Sequence, residues 1–360
     1  MPCRPAPRAA ALALSCMSLA LAAPAAAQVR AYQLTSDNDA YDFWIPMDVR
    51  PDREYSNGLR VGVETEGARG WGALARAVAP CAAAEAPAAG EAGCTSTHVE
   101  LGQRMYTPRL DTEQPVAGQR PFAGWLYAGV TARVVNGRTR HSVGIEAGVT
   151  GEPSLAESVM EGYHRLAGFW QPVGWSHQLA FEPAAALRYG VERQVATARF
   201  GGVRAGDLTA EAGASLGTLR TSAHAGGQLR AGTRLAHPWA LRSLRGTSVY
   251  AVAGVRGEAV AHDLFLDGNT FRGGPPRVTR RPFVAETRWG VGITLGGTTL
   301  EYRVSARGRA YEEEPGGHPY GTFEITWRRE PPFSGPAAKP AAASGVQFAI
   351  PETQPIPTEP

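Results

Sequence analysis

Apolar and polar residues alternate with a period of two along most of this chain, the spacing of strands that present each face to a different environment. Between Thr298 and Tyr311 one parity reads Leu300, Tyr302, Val304 and Ala306, and the other Glu301, Arg303, Ser305, Arg307 and Arg309. Val143, Ile145, Ala147 and Val149 alternate with Ser142, Gly144, Glu146 and Gly148, and Leu59, Val61 and Val63 with Arg60, Gly62 and Glu64. Near the end, Phe323, Ile325 and Trp327 alternate with Thr322, Glu324 and Thr326. A soluble sandwich would alternate as well. Strands of about ten residues, with charges along one face of nearly every one, fit instead a barrel with lipid outside and a polar interior. Trp125, Tyr127, Trp175, Trp289 and Trp327 fall near strand ends, where interfacial aromatics would sit.

The pattern predicts strands over 29–39, 55–66, 96–106, 121–135, 139–150, 175–190, 204–218, 223–235, 246–261, 279–295, 298–311 and 318–329. The expected fold is all-β, a twelve-stranded antiparallel transmembrane β-barrel of the bacterial outer membrane, with both chain ends on the periplasmic side. The tight-turn pairs Asn136-Gly137 and Gly296-Gly297 fall on that side, as short turns should. Segment 67–95, with a helix-like stretch from Trp71 to Val78, reads as a long periplasmic connection.

Composition refines this picture at the ends. Arg4 and Arg8 precede an Ala/Leu run and the small residues Ala25-Ala26-Ala27, so residues 1–27 read as a signal peptide and the mature chain starts at Gln28. An exported chain left with Cys81 and Cys94 is expected to join them in a disulfide; a zinc site would lack ligands beyond His98. Residues 331–360, rich in Pro and Ala and without periodicity, read as a disordered tail. A net charge of +3 with no basic run among aromatics gives no reason to expect nucleic acid.

A long interruption of the strand pattern at 151–174 carries His164, and loops on a rigid scaffold are where chemistry concentrates. The strand count brings five polar segments to that same rim: Asn38-Asp39, Tyr55-Ser56-Asn57-Gly58, Tyr106-Thr107-Pro108, Arg120 to Trp125, and 151–174. Taken singly, each reads as a turn or a solvated loop. There is neither a Gly-x-Ser-x-Gly elbow nor a His-Glu-x-x-His helix.

Together the segments resemble a known family. Asn38-Asp39, Asp52-Arg53-Glu54-Tyr55-Ser56-Asn57-Gly58-Leu59, Gln103 to Pro108, Arg120-Pro121-Phe122-Ala123-Gly124-Trp125-Leu126-Tyr127, Gly151-x-Pro-Ser with His164 and Gly174-Trp175-x-x-Gln178, and Leu266-Asp267-Gly268-Asn269-Thr270 look like the outer-membrane lipid A 3'-O-deacylases. The resemblance runs from about Leu34 to Trp327. It implies calcium-dependent hydrolysis of the 3'-linked acyloxyacyl ester of lipid A at the extracellular rim, by a chain acting as a monomer. It places the family's Asn-Asp pair on Asn38 and Asp39, its hydroxyl residue on Ser56 and its catalytic histidine on His164. Where many members have Gln four residues before the histidine, this chain has Met160.

The residue types allow the reaction. Imidazole takes protons near neutral pH, which suits His164 as general base. Asp39 would hold Ca2+, a hard cation with oxygen ligands, to polarise the ester, and the Asn38 amide would meet the oxyanion. Without an elbow, water is favoured as nucleophile, with Ser56 positioning it or the carbonyl; attack by Ser56 is the alternative. Arg53, Arg109, Arg120 and Arg165, with Tyr106 and Thr107, would bind the lipopolysaccharide, the arginines either through lipid A phosphates or by neutralising the anionic surface generally. Two other readings compete: an outer-membrane phospholipase and a non-catalytic barrel or channel.

Overall fold

A computed structural model of the chain describes residues 28–43, 53–66, 95–110, 112–241, 246–272 and 278–329, with the backbone of 347–349. The alternating segments form strands β1 (Gln28–Asn38), β2 (Glu54–Glu66), β3 (Thr95–Thr107), β4 (Ala123–Asn136), β5 (Thr139–Thr150) and β6 (Pro183–Phe200). The second half adds β7 (Val203–Gly217), β8 (Arg220–Gly232), β9 (Thr247–Asp263), β10 (Phe283–Leu295), β11 (Thr298–Arg307) and β12 (His318–Arg328). Each strand pairs antiparallel with its sequence neighbours, β1 pairs with β12, and the twelve close into one barrel. Among the described residues the α-helices are α1 (Ala156–Ala167) and the single turn α2 (Leu264–Asp267). The expected signal peptide, the Cys81–Cys94 pair and the helix at 71–78 lie outside the described residues, as does most of the tail. Within the tail, β13 (Gln347–Ala349) pairs with Thr197–Arg199 of β6.

Alternation sorts the side chains as expected. Leu59, Val61, Leu300, Phe323 and Trp327 stay exposed on the outer wall. Inward-facing charges neutralise one another across strands, because a buried ion without a partner is costly. Arg104 grips Glu146 with two bonds of 2.9 and 3.0 Å, and Arg188 and the Trp125 indole reach the same carboxylate at 2.5 and 2.9 Å. Arg256 and Arg288 share Glu211, and Arg230 holds Asp207. What remains inside is a polar cavity of about 490 Å3.

Two expectations are corrected. The sixth strand runs over 183–200 rather than 175–190. Gly201 and Gly202, at φ 55° and 77°, make the tight turn that pairs Phe200 with Val203. Trp175 instead begins a short 3-10 turn, Trp175–His177, and packs on Phe122 with ring centroids 4.8 Å apart. Consequently Trp175 is no girdle residue. Nor are Trp125 and Tyr127, whose parity turns them into the barrel, where Tyr127 lies under Arg104 at 4.5 Å. Trp289 and Trp327 are exposed on the outer wall.

Candidate active site

Near the barrel end that carries the long loops, one row of outward-facing residues crosses four strands. The register sets Asn38 of β1 opposite Asn57 of β2, Asn57 opposite Met105 of β3, and Met105 opposite Gly124 of β4. Ser56 is the extra residue of a β-bulge: Tyr55 pairs with Tyr106 and Asn57 with Met105, leaving Ser56 between them. Its fully buried hydroxyl donates to the Met105 carbonyl at 3.3 Å.

One flank of this row is built by the chain leaving β1. Asn38 Oδ1 accepts from the Ala40 amide at 2.7 Å and so caps the 3-10 turn Asp39–Tyr41. Asp39 Oδ2 accepts from the Arg53 amide at 2.9 Å, which ties that turn to the entrance of β2. The turn lies on the outer wall, where the Tyr302 hydroxyl donates to the Tyr41 carbonyl at 2.5 Å and the Tyr41 ring meets Phe323 edge-on at 5.2 Å. Only a glycine at 321 permits this approach, since a Cβ there would stand 2.4 Å from the Tyr41 oxygen.

The other flank is α1. Gln103 Nε2 donates to the Ser154 carbonyl at 2.6 Å, and Ser154 and Ala156 rest directly on Gly124. Ala156 and Met160 form an apolar cluster with Met105, Phe122 and Trp175. Ala156, Met160 and His164 are the buried residues of the helix, spaced one turn apart. The helix passes from β4 to β3. Each turn advances it about 5.4 Å, close to the roughly 4.8 Å between strands. Ala156 thus sits at Gly124 of β4, and Met160 shares an apolar cluster with Met105 of β3.

His164 is held by its own loop. Gly168, at φ 71°, ends α1 and turns the chain back. That return brings the Trp170 carbonyl to 2.6 Å from His164 Nδ1 and sets the Phe169 and Trp170 rings edge-on to the imidazole at 5.8 and 5.5 Å. A carbonyl only accepts, so Nδ1 is the donor of this hydrogen bond. Met160, where the resemblance led to a Gln, contributes packing under the helix.

The remaining sequence candidates scatter. Arg120 and Tyr106 line the interior cavity, on the other side of the wall from the outward-facing row. Arg120 pairs with Glu54 at 3.4 Å and stacks over Tyr106 at 4.3 Å, and Tyr106 stacks on Phe265 at 4.4 Å. Thr107 is buried at the end of β3, Arg53 is half-buried, and Arg109 and Arg165 are exposed. The Leu266-Asp267-Gly268-Asn269-Thr270 motif is a staple: Asn269 bonds Ala180 and Glu182, and Asp267 accepts from Arg280. Sequence reasoning missed Trp170, whose main-chain oxygen leaves no signal in residue type. It also missed Glu314, buried in the β11–β12 loop. Burial and the neighbouring Glu54 carboxylate push Glu314 up to about 7, against the Ala310 amide, Arg120 and Arg307.

Among the described residues no three His, Cys, Asp or Glu side chains converge as metal ligands. The groups at the β1 turn, the Asn38 amide oxygen and the carboxylates of Asp39 and Asp42, are all hard oxygen donors. That chemistry fits calcium, which also takes main-chain carbonyls, and not zinc.

The fold is similar to that of LpxR from Salmonella typhimurium, with TM-score 0.66 and 18% identity over 82% of this chain and 99% of that one. The beta domain of the Bordetella autotransporter BrkA matches at TM-score 0.38 and 12% identity over 83% and 98% of the two chains. The translocator domain of autotransporter NalP from Neisseria meningitidis matches at 0.33 and 13% over 89% and 95%. No curated protein matches the sequence. Residues 10–329 match the model of the family described as outer membrane protein LpxR, and the chain belongs to that family of outer-membrane β-barrels.

Proposed function

We propose that this barrel is a lipid A deacylase that hydrolyses the 3'-linked acyloxyacyl ester, with its site at the extracellular rim on the lipid-facing side of the wall. The observation that carries this reading is the docking of α1, with His164 among its buried residues, on the stretch of outer wall where the row from Asn38 to Gly124 runs. A site on that side meets a lipid of the outer leaflet without drawing it out of the bilayer.

The hydrogen bonds support the following roles. His164, with Nδ1 committed to the Trp170 carbonyl, takes a proton from water at Nε2. Ser56 spends its proton on the Met105 carbonyl, which supports water, rather than Ser56, as the nucleophile. Hydroxide adds to the acyl carbon, and the oxyanion is met by the Asn38 amide N–H, because Asn38 Oδ1 is already used by Ala40. Collapse breaks the ester bond, and His164 returns its proton to the departing sugar oxygen. Asp39, with main-chain oxygens, would hold Ca2+, which when bound would polarise the ester carbonyl. Arg53, Arg109 and Arg165 are placed to meet phosphate groups at the surface, as guanidinium forks do.

Mass spectrometry of lipid A from cells with and without the gene tests the proposal. Loss of the 3' acyloxyacyl mass only when the gene is present is the expected result. An unchanged lipid A pattern with new lysophospholipid would assign the site to a phospholipase instead.

A further inference from the structure

The helix that carries His164 has three distinct faces. At about 100° per residue, Ala156, Met160 and His164 form the line against the barrel. On one side of that line come Leu155, Val159, Tyr163 and Leu166, and on the other Glu157, Glu161 and Arg165. The apolar flank is not buried: Leu155, Val159, Tyr163 and Leu166 are 54%, 46%, 46% and 89% exposed. A contiguous exposed apolar strip marks a contact surface. Leu155 strengthens the case, because it sits at φ 59°, a left-handed conformation usual for Gly or Asn, and still projects an exposed leucine.

Two further facts choose the occupant. α1 is docked on the outer wall over β4 and β3, and its twelve residues, about 18 Å long, are too few to cross a bilayer. The wall beside it, with Leu59 and Val61 exposed, is the lipid-facing surface of a membrane barrel. We infer that α1 is an interfacial helix whose Leu155, Val159, Tyr163 and Leu166 flank lies in the acyl region of the outer leaflet, while Glu157, Glu161 and Arg165 face water. Helices of this kind sink their apolar side about 5–10 Å into the boundary between headgroups and chains. His164 would then be fixed at the depth where the ester linkages of outer-leaflet lipids lie, by the bilayer as well as by the barrel.

The inference is tested without reference to hydrolysis. In chains with Cys81 and Cys94 changed to serine, single spin labels are placed through Leu155→Cys, Val159→Cys, Leu166→Cys, Glu157→Cys, Glu161→Cys and Arg165→Cys. The folded barrels are reconstituted in phosphatidylethanolamine/phosphatidylglycerol vesicles, and collisions with oxygen and with a water-soluble nickel chelate are measured. Leu300→Cys on the open wall and Arg309→Cys in an exposed loop give the lipid and water references. The three apolar sites are expected to match the Leu300 reference and the three charged sites the Arg309 reference. Six sites equally open to the chelate would overturn the inference. So would apolar sites shielded from both reagents, which would mean that a second copy or another segment of the chain covers them.

Discussion

Replacing Gly124 with alanine adds one methyl group to the outer wall at the point where the His164 helix docks. That methyl would stand 2.0 Å from Ser154 Oγ and 2.4 Å from the Ala156 Cβ. Unstrained contacts need roughly 3.5–4.0 Å, so the helix start must retreat by about 1.5 Å. The strand itself has no reason to move, because the methyl points away from the barrel and Gly124 is not among the positive-φ glycines. A displacement of about 1 Å at a catalytic group costs about 100-fold in rate, or about 2.7 kcal/mol of transition-state stabilisation. We therefore expect Gly124→Ala to lower kcat/KM for acyl release at least ~100-fold, while the protein keeps the heat-modifiable gel mobility of a closed barrel. The assay is a time course of lipid A deacylation by purified protein in detergent, followed by mass spectrometry. Trimming the helix side with Ser154→Gly and Ala156→Gly in the same chain should recover part of the rate. Full activity in the single variant would refute the argument that docking on Gly124 positions His164.

His164→Ala should leave the barrel folded and reduce deacylation by about 100- to 10,000-fold, the usual contribution of a general base; retained activity in the same mass-spectrometric assay would remove His164 from that role. A strong calcium chelator should silence the enzyme and added Ca2+ restore it, and Asp39→Asn should raise the calcium concentration needed for half activity; undiminished activity in chelator would take Asp39 out of metal binding. Glu314 supplies a pH test. Its pKa is raised to about 7 in the fold, so between the ordinary glutamate value and 7 the folded state holds more protons than the unfolded one and stability falls as pH rises. Thermal unfolding should show that decline as pH rises to 7, and Glu314→Gln should flatten it; identical profiles would show that Glu314 is not so perturbed.

The alternation that predicted a barrel is a property of each strand alone, and eleven of the twelve strands lie close to where it placed them. The sixth shows the limit. Trp175 to Gln178 looked like the start of a strand, but Trp175 packs on Phe122 in a 3-10 turn ahead of it, a contact between residues 53 positions apart. Residue types alone left Asn38, Asp39, Ser56 and His164 reading as turn or loop residues, and the family resemblance singled them out. Arg120 and Tyr106 carry equally suggestive side chains and sit inside the barrel, engaged with Glu54 and Phe265.

By itself, then, the sequence determined most of the strands and their two faces, since a period of two is local, and through the resemblance it nominated residues for ester chemistry. The tertiary structure alone decided which rim residues share a side of the wall, and that the 151–174 segment folds a helix onto the outside of β3 and β4. It also decided that a main-chain carbonyl at Trp170 holds the histidine. Those outcomes depend on interstrand register and on contacts such as Gly124 with Ala156 and Gln103 with Ser154. Such contacts join residues distant along the chain, and no pattern within one strand specifies them.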